Sequence, residues 1–275
     1  QVLLSLDEVP SSPDVQRLQG YLQAKGGCAH IMANEFREDH LPFPMPNRKH
    51  TLSQSWEHLS FMHWEVKPEL LLPHLPDDLE LDLFEGKAYV GTIPFEMTHV
   101  RPRWFFSVPG VSNFPEFNIR TYVTRDGKPG VFFLTLDAQS RITCFHAPRS
   151  YGLPYRYAKC SISTTQDTYS WSSKRRADGV SLIGSCKGLG DATSAKLGTL
   201  EYFLFERYCL YTVHKGILHR AYTQHNPWVY RIAKATLEEN SLTESYDLGI
   251  QNPLHPEHVH LSSGVDVRTW SIERL

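Results

Sequence analysis

From His50 onward, apolar and polar positions follow the two-residue period of strands more than the 3.6-residue period of helices. Residues 52–66 (LSQSWEHLSFMHWEV) carry aromatic and aliphatic side chains in partial alternation, and residues 79–84 and 88–98 repeat the pattern around a turn at Glu85-Gly86. The clearest local signal is a hairpin. TYVTR (121–125) and VFFLTL (131–136) flank Asp126-Gly127-Lys128-Pro129-Gly130, whose glycines admit the positive φ of a tight turn. Further strands are expected at 155–164, 208–214, 217–224, 257–262 and 265–271. Helices are few: a short one over 68–75, ended by Pro76, and one over 199–207 that begins after Gly198. The stretch 184–192 (GSCKGLGDA) reads as a flexible loop. The Pro-, Trp- and Phe-rich stretch 101–115 reads as a functional one.

The first forty residues differ. Ser12-Pro13 is a good helix start, Val15, Leu18 and Leu22 share a face, and Gly26-Gly27 is a stop, which predicts an amphipathic helix at 13–25. The stretch from Asn34 to Asn47 is polar and punctuated by prolines. Residues 1–47 are therefore read as an extension. No repeat or linker divides 48–275, which is read as a single, mainly β (α+β) domain with a few short helices.

A chain of 275 residues with 41% hydrophobic and 21% charged side chains has the composition of a soluble globular protein. Twenty-eight basic residues against thirty acidic ones, a net charge of -2, leave no basic excess for phosphate neutralisation, so nucleic acid is not an expected partner. No apolar run approaches the length of a membrane span, and the first residues lack a basic, apolar secretory pattern; no membrane partner and a cytoplasmic location are expected. Five cysteines without a CxxC pair read as buried thiols in a reducing compartment. The one unusual figure is 12% aromatic residues, which suits β-rich cores and apolar pockets alike.

His255, His258 and His260 lie in LHPEHVH, but spacing alone does not converge imidazoles on an ion. No metal and no cofactor are expected. The glycines of 184–192 fit neither common phosphate-loop pattern, and the Gly-x-Ser-x-Gly and His-Glu-x-x-His signatures are absent. Two polar constellations remain. In FPEFNIRTYV (114–123), Glu116, Asn118 and Arg120 alternate with Phe117, Ile119 and Thr121, so a strand presents all three polar groups on one face, as a solvated edge or as a cavity wall. Burial would require pairing, with Arg120 or Arg149 the natural partner of Glu116. In APRSYGLPYRYAKCSIS (147–163), Gly152 and Pro154 imply a fixed path into a strand bearing Tyr155, Tyr157 and Lys159 on one face and Arg156 on the other. Arg149 and Arg156 are suited to holding a carboxylate through forked hydrogen bonds.

These stretches, with residues 60–97 and GTLEYFLFERYCLY (198–211), resemble the DUF2071 (YqjF-like) family over nearly all of the chain from His50 to Arg274. That family is similar to the acetoacetate decarboxylase superfamily, which implies an antiparallel β cone or barrel around a small-molecule pocket. The decarboxylases carry Gly-Arg-Glu-x-x-Gly-Phe-Pro-Lys-Lys-x-x-Ala, whose first lysine forms a Schiff base with a β-keto acid while the second cation depresses its pKa. Here Arg149, Gly152 and Pro154 match the motif and Ser150 replaces its glutamate. Tyr155 stands at the Schiff-base position and Arg156 at the activating one. Glu116 matches the superfamily's pocket glutamate.

A phenol forms no iminium, so the resemblance implies a pocket without that decarboxylation, unless Lys159, on the Tyr155 face, supplies a displaced amine. Three functions are open. One is a protein binding a small organic ligand through Arg149, Arg156, Arg120 and Asn118. Another is a lyase, hydratase or isomerase acting on a small oxo acid or aromatic compound, with Tyr155 and Glu116 as catalytic groups. The third is a ligand-free scaffold. Superfamily relatives oligomerise, so a homo-oligomer is a further expectation.

Overall fold

The computed structural model describes residues 35–104 and 112–275. The expected helix at 13–25 lies outside them, as do residues 105–111 of the 101–115 stretch. The polypeptide from Phe36 to Leu275 is one compact unit.

Among the described residues thirteen strands form one sheet: β1 (Leu52–Val66), β2 (Glu80–Leu81), β3 (Ala88–Pro102), β4 (Phe114–Arg125), β5 (Lys128–Ala138), β6 (Tyr155–Thr164), β7 (Thr168–Arg175), β8 (Ser181–Ser194), β9 (Cys209–His214), β10 (Ile217–Gln224), β11 (Val229–Glu239), β12 (His258–Thr269) and β13 (Glu273–Arg274). Neighbours pair antiparallel except β5 with β6 and β5 with β9. The order β13-β10-β9-β5-β6-β7-β8-β11-β12-β1-β3-β4-β2 is partly ringed by the extra pairings β5–β4 and β10–β12. Among the described residues there are also four short α-helices: α1 (Pro68–Leu71), α2 (Arg141–Tyr151), α3 (Leu200–Phe205) and α4 (Ser241–Glu244).

The extra pairings make β1, β3, β4, β5 and β12 a wall shared by two cores, and period-two alternation assigns each side chain to one of them. Phe117 and Ile119 of β4 point into a core with Met62, Trp64, Trp171, Leu182 and Leu237. The opposite face meets Leu59, Phe61, Phe95, Phe205 and Trp228, where α3 plugs the interior. Burying strand-borne apolar groups on both faces of one wall explains the scarcity of clean in/out alternation in β1 and β3.

Three expectations are corrected. GSCKGLGDA belongs to β8, since Gly184 and Gly188 face Thr236–Leu237 and Arg231 of β11, where their missing side chains permit close approach. The strands expected at 257–262 and 265–271 are one continuous strand, β12, which passes Gly264 at φ 129° because a Cβ there would meet the Trp56 carbonyl oxygen at 2.1 Å. The fixed path expected at 147–154 is mostly helix: α2 starts at Ser140, whose hydroxyl accepts from the Thr143 N–H, and stops at Gly152 in the left-handed region, φ 69°.

Candidate functional site

One cavity of about 440 Å³ lies between the inner faces of β1, β3, β4, β5, β9 and β10, with α2 along one side. Its wall is mainly apolar and rich in aromatic rings, among them Trp56, Phe95, Phe114, Phe133, Trp228 and Trp270. Trp56 stacks on Trp228 with ring centroids 6.3 Å apart, and α3 delivers Phe205 to the floor. Ile142 and His146 of α2, both exposed, mark the mouth.

Strand β4 supplies the polar wall. Glu116, Asn118 and Arg120 all line the cavity and are only 2%, 4% and 8% exposed. Their common face follows from the alternation, and the register shift between Ile119 and Arg120 leaves the extra residue, Leu134, on the neighbouring strand β5. Tyr155 enters from the first position of β6, where it pairs with Leu136, and its hydroxyl donates to Glu116 Oε2 at 2.6 Å. The turn that delivers it depends on Gly152, because a Cβ there would stand 2.3 Å from the Val213 carbonyl oxygen.

Burial governs the electrostatics. It raises Glu116 to about 7 against hydrogen bonds from Tyr155 and Asn118 that favour the carboxylate. The Tyr155 phenol is pushed well above its ordinary value, first by burial and then by the neighbouring Glu116 charge. The expected ion pair of Glu116 with Arg120 or Arg149 is not formed. Arg120 instead donates through Nη2 to the Leu204 carbonyl at 3.0 Å and lies over the Phe61 and Tyr122 rings. Its Nε and Asn118 Oδ1 are buried without a hydrogen-bond partner among the described residues.

The other expected ligand contacts are not brought to this cavity. Arg149, in the last turn of α2, donates Nη1 to the Phe145 carbonyl at 2.6 Å and stacks on the exposed Phe145 ring, pointing out of the fold. Arg156 and Lys159 are exposed on β6, with Arg156 facing Asp178 at 3.9 Å. Ala158 and Cys160 of the same strand are buried and pack into the other core. No lysine lines the cavity among the described residues. His255, His258 and His260 do not converge: they face Asn252, Tyr89 and the Phe205–Tyr230 pair, respectively.

Arg207 and His225 line the same cavity and were not singled out from the sequence. The Arg207 guanidinium pairs with Asp82 and lies over Phe203, 4.2 Å from the ring centroid; burial lowers its pKa. The His225 ring stacks on Tyr208 at 4.6 Å, and burial holds it toward the neutral form. A signal for Arg207 existed in FERYC at the end of the 199–207 helix; His225, after β10, carried none.

The model of the DUF2071 family, described as an uncharacterized conserved protein, matches residues 53–266. The uncharacterized protein YqjF of Bacillus subtilis (strain 168) is 32% identical over 244 residues, covering 88% of this chain and 99% of that one. Among solved structures, acetoacetate decarboxylase from Legionella pneumophila superposes with a TM-score of 0.60 at 15% identity, covering 89% of this chain and 98% of the other. The enduracididine biosynthesis enzyme MppR, solved with the condensation product of pyruvate and imidazole 4-carboxaldehyde, gives 0.59 at 12% identity over 82% and 90% of the two chains. An acetoacetate decarboxylase-like enzyme from Sphingomonas wittichii RW1 gives 0.58 at 10% identity over 86% and 98%. At these identities the likeness speaks for the fold alone. No helix among the described residues is long and apolar enough to cross a membrane.

Proposed function

The chain belongs to the DUF2071 family and has an acetoacetate decarboxylase-like fold, and from that premise we propose that it binds a small organic molecule in the β-sheet cavity, with Glu116, Asn118, Arg120 and Tyr155 as its polar contacts. The observation that carries this reading is the Tyr155–Glu116 hydrogen bond at 2.6 Å, set in the wall of a mainly apolar cavity of about 440 Å³. Volumes of ~300–1,000 Å³ with a few convergent polar groups are typical of ligand sites. A core built only for stability would fill this space with side chains, since each void forfeits dispersion and burial.

Iminium chemistry is not part of the proposal, because no lysine lines the cavity among the described residues and a phenol such as Tyr155 forms no iminium. Thermal melting against a panel of small monocarboxylic, oxo and aromatic acids, with matching alcohols, tests the binding. At least one compound raises the melting temperature of the wild type, because a ligand selective for the folded state stabilises it. A panel with no stabilising compound overturns the proposal.

A second reading is favoured by the Glu116 value of about 7. A carboxyl poised near neutrality beside a phenol is suited to moving a proton on and off carbon: Glu116 as the carboxylate removes it, and Arg120 or Tyr155 holds the oxygen on which negative charge develops. Deuterium incorporation from D₂O next to the carboxyl or keto group of a stabilising compound is the assay. Tyr155→Phe should slow that exchange far more than it weakens binding.

A further inference from the structure

The buried guanidinium of Arg120 differs from every other strongly buried arginine in the cavity region. Arg207 has Asp82, and Arg175, in the wall of the other core, has Asp137 at 2.8 Å. Among the described residues Arg120 forms no ion pair; one Nη serves the Leu204 carbonyl, and Nε is left without an acceptor. The rings of Phe61 and Tyr122 below it give partial compensation through their π faces. Arg207 is close enough to influence it electrostatically, and neither Asp82, which pairs with Arg207, nor the buried Glu206, whose carboxylate takes the Trp228 N–H, forms an ion pair with Arg120 among the described residues. A buried cation without a counter-ion is costly to keep, and a ligand anion would remove that cost without a fresh desolvation of the guanidinium. Glu116, four residues earlier on the same strand face, already takes hydrogen bonds from Tyr155 and Asn118 and does not serve as that anion.

The remaining wall sets the other half of the ligand. With Arg120 the cavity is lined by Phe95, Phe114, Trp56, Phe205 and Trp270. A two- or three-carbon acid would cover little of this surface, whereas pockets of this size ordinarily enclose most of a much larger ligand. We propose that the ligand class is a monocarboxylate with a medium-length alkyl or aryl-alkyl tail, its carboxylate on Arg120 and its tail along the aromatic wall. This rests on the cavity being a ligand site, as proposed above.

The test measures dissociation constants of the full chain for straight-chain acids from acetate to decanoate, with decanol and decylamine as neutral and cationic counterparts. Affinity is expected to rise about fourfold per methylene until the cavity is full, the increment for burying one CH₂. Decanoate should bind at least tenfold more tightly than decanol, and decylamine not at all. Arg120→Gln should remove that preference, lowering decanoate affinity at least tenfold relative to decanol in the same variant. The acid-to-alcohol comparison needs only the wild type, so a variant that fails to fold leaves the question decidable. Equal binding of decanoate and decanol, or a flat dependence on chain length, overturns the assignment while preserving the ligand site. Absence of binding by all of these compounds, together with a negative general panel, overturns the site itself.

Discussion

Replacing Glu116 by Gln removes one titration and keeps the size of the side chain. The Glu116 carboxyl is 2% exposed and titrates at about 7, against 4.5 in an unstructured chain. Because burial raises the folded value, the folded state holds this proton where the unfolded chain has already lost it. The associated stability is fully present below about pH 4.5 and is lost as pH rises toward 7. A difference of some 2.5 units at about 1.4 kcal/mol each makes the full contribution about 3.5 kcal/mol. Denaturant unfolding of wild type and Glu116→Gln at pH 5 and pH 8 isolates it, since every other titration cancels in the comparison. The variant should gain about 2.5 kcal/mol relative to the wild type between the two pH values, because part of the effect is already lost by pH 5. Parallel pH profiles would refute the burial argument, and an opposite sign would mean that Glu116 is ionised in the folded state at pH 5.

Tyr155→Phe deletes the donor to Glu116 and should raise the carboxyl's titration by ~1–2 units, the equivalent of a hydrogen bond to a charged group, as read by carbon-13 NMR of labelled glutamate. Gly152→Ala should destabilise by ~2 kcal/mol or more in thermal unfolding, because it combines a left-handed backbone with a Cβ 2.3 Å from the Val213 carbonyl oxygen. Arg175→Met strands the Asp137 carboxylate that the guanidinium holds at 2.8 Å and should cost ~3–5 kcal/mol, most of it recovered in the double variant with Asp137→Leu. Borohydride treatment with acetoacetate should leave the mass of the protein unchanged; an adduct on any lysine would show an amine in the site.

Alternation makes the polar face of β4 legible in the sequence: Glu116, Asn118 and Arg120 have to share a side, whether solvated or facing a cavity. Pairing was not legible, because it depends on strand neighbours. Which side chain meets Glu116 is decided where β6 joins β5 in parallel, and that places Tyr155 there while the helix turn carries Arg149 outward. Motif spacing treated 149–156 as one constellation, but the left-handed stop at Gly152 splits it between helix and strand.

Helix α2 has β-branched residues and an internal Pro148, so propensity hid it; its caps, Ser140 and Gly152, were the available signal. The strand β7 was legible in principle, since Tyr169, Trp171, Ser173 and Arg175 alternate with polar positions and are the ones buried. The glycines of β8 obscured that strand, because their function lies in the approach of β11 and not in a turn.

Ligand contact by the Glu116–Tyr155 pair is the central claim, and it can be read directly. Carbon-13 labelling of the Glu116 carboxyl and the Tyr155 phenol carbon is followed during titration with the most stabilising acid. Saturable shifts of both resonances, with Tyr157 outside the cavity unchanged, are the predicted result. Shifts confined to Tyr157 and other groups outside the cavity, with Glu116 and Tyr155 unmoved at saturation, would contradict it.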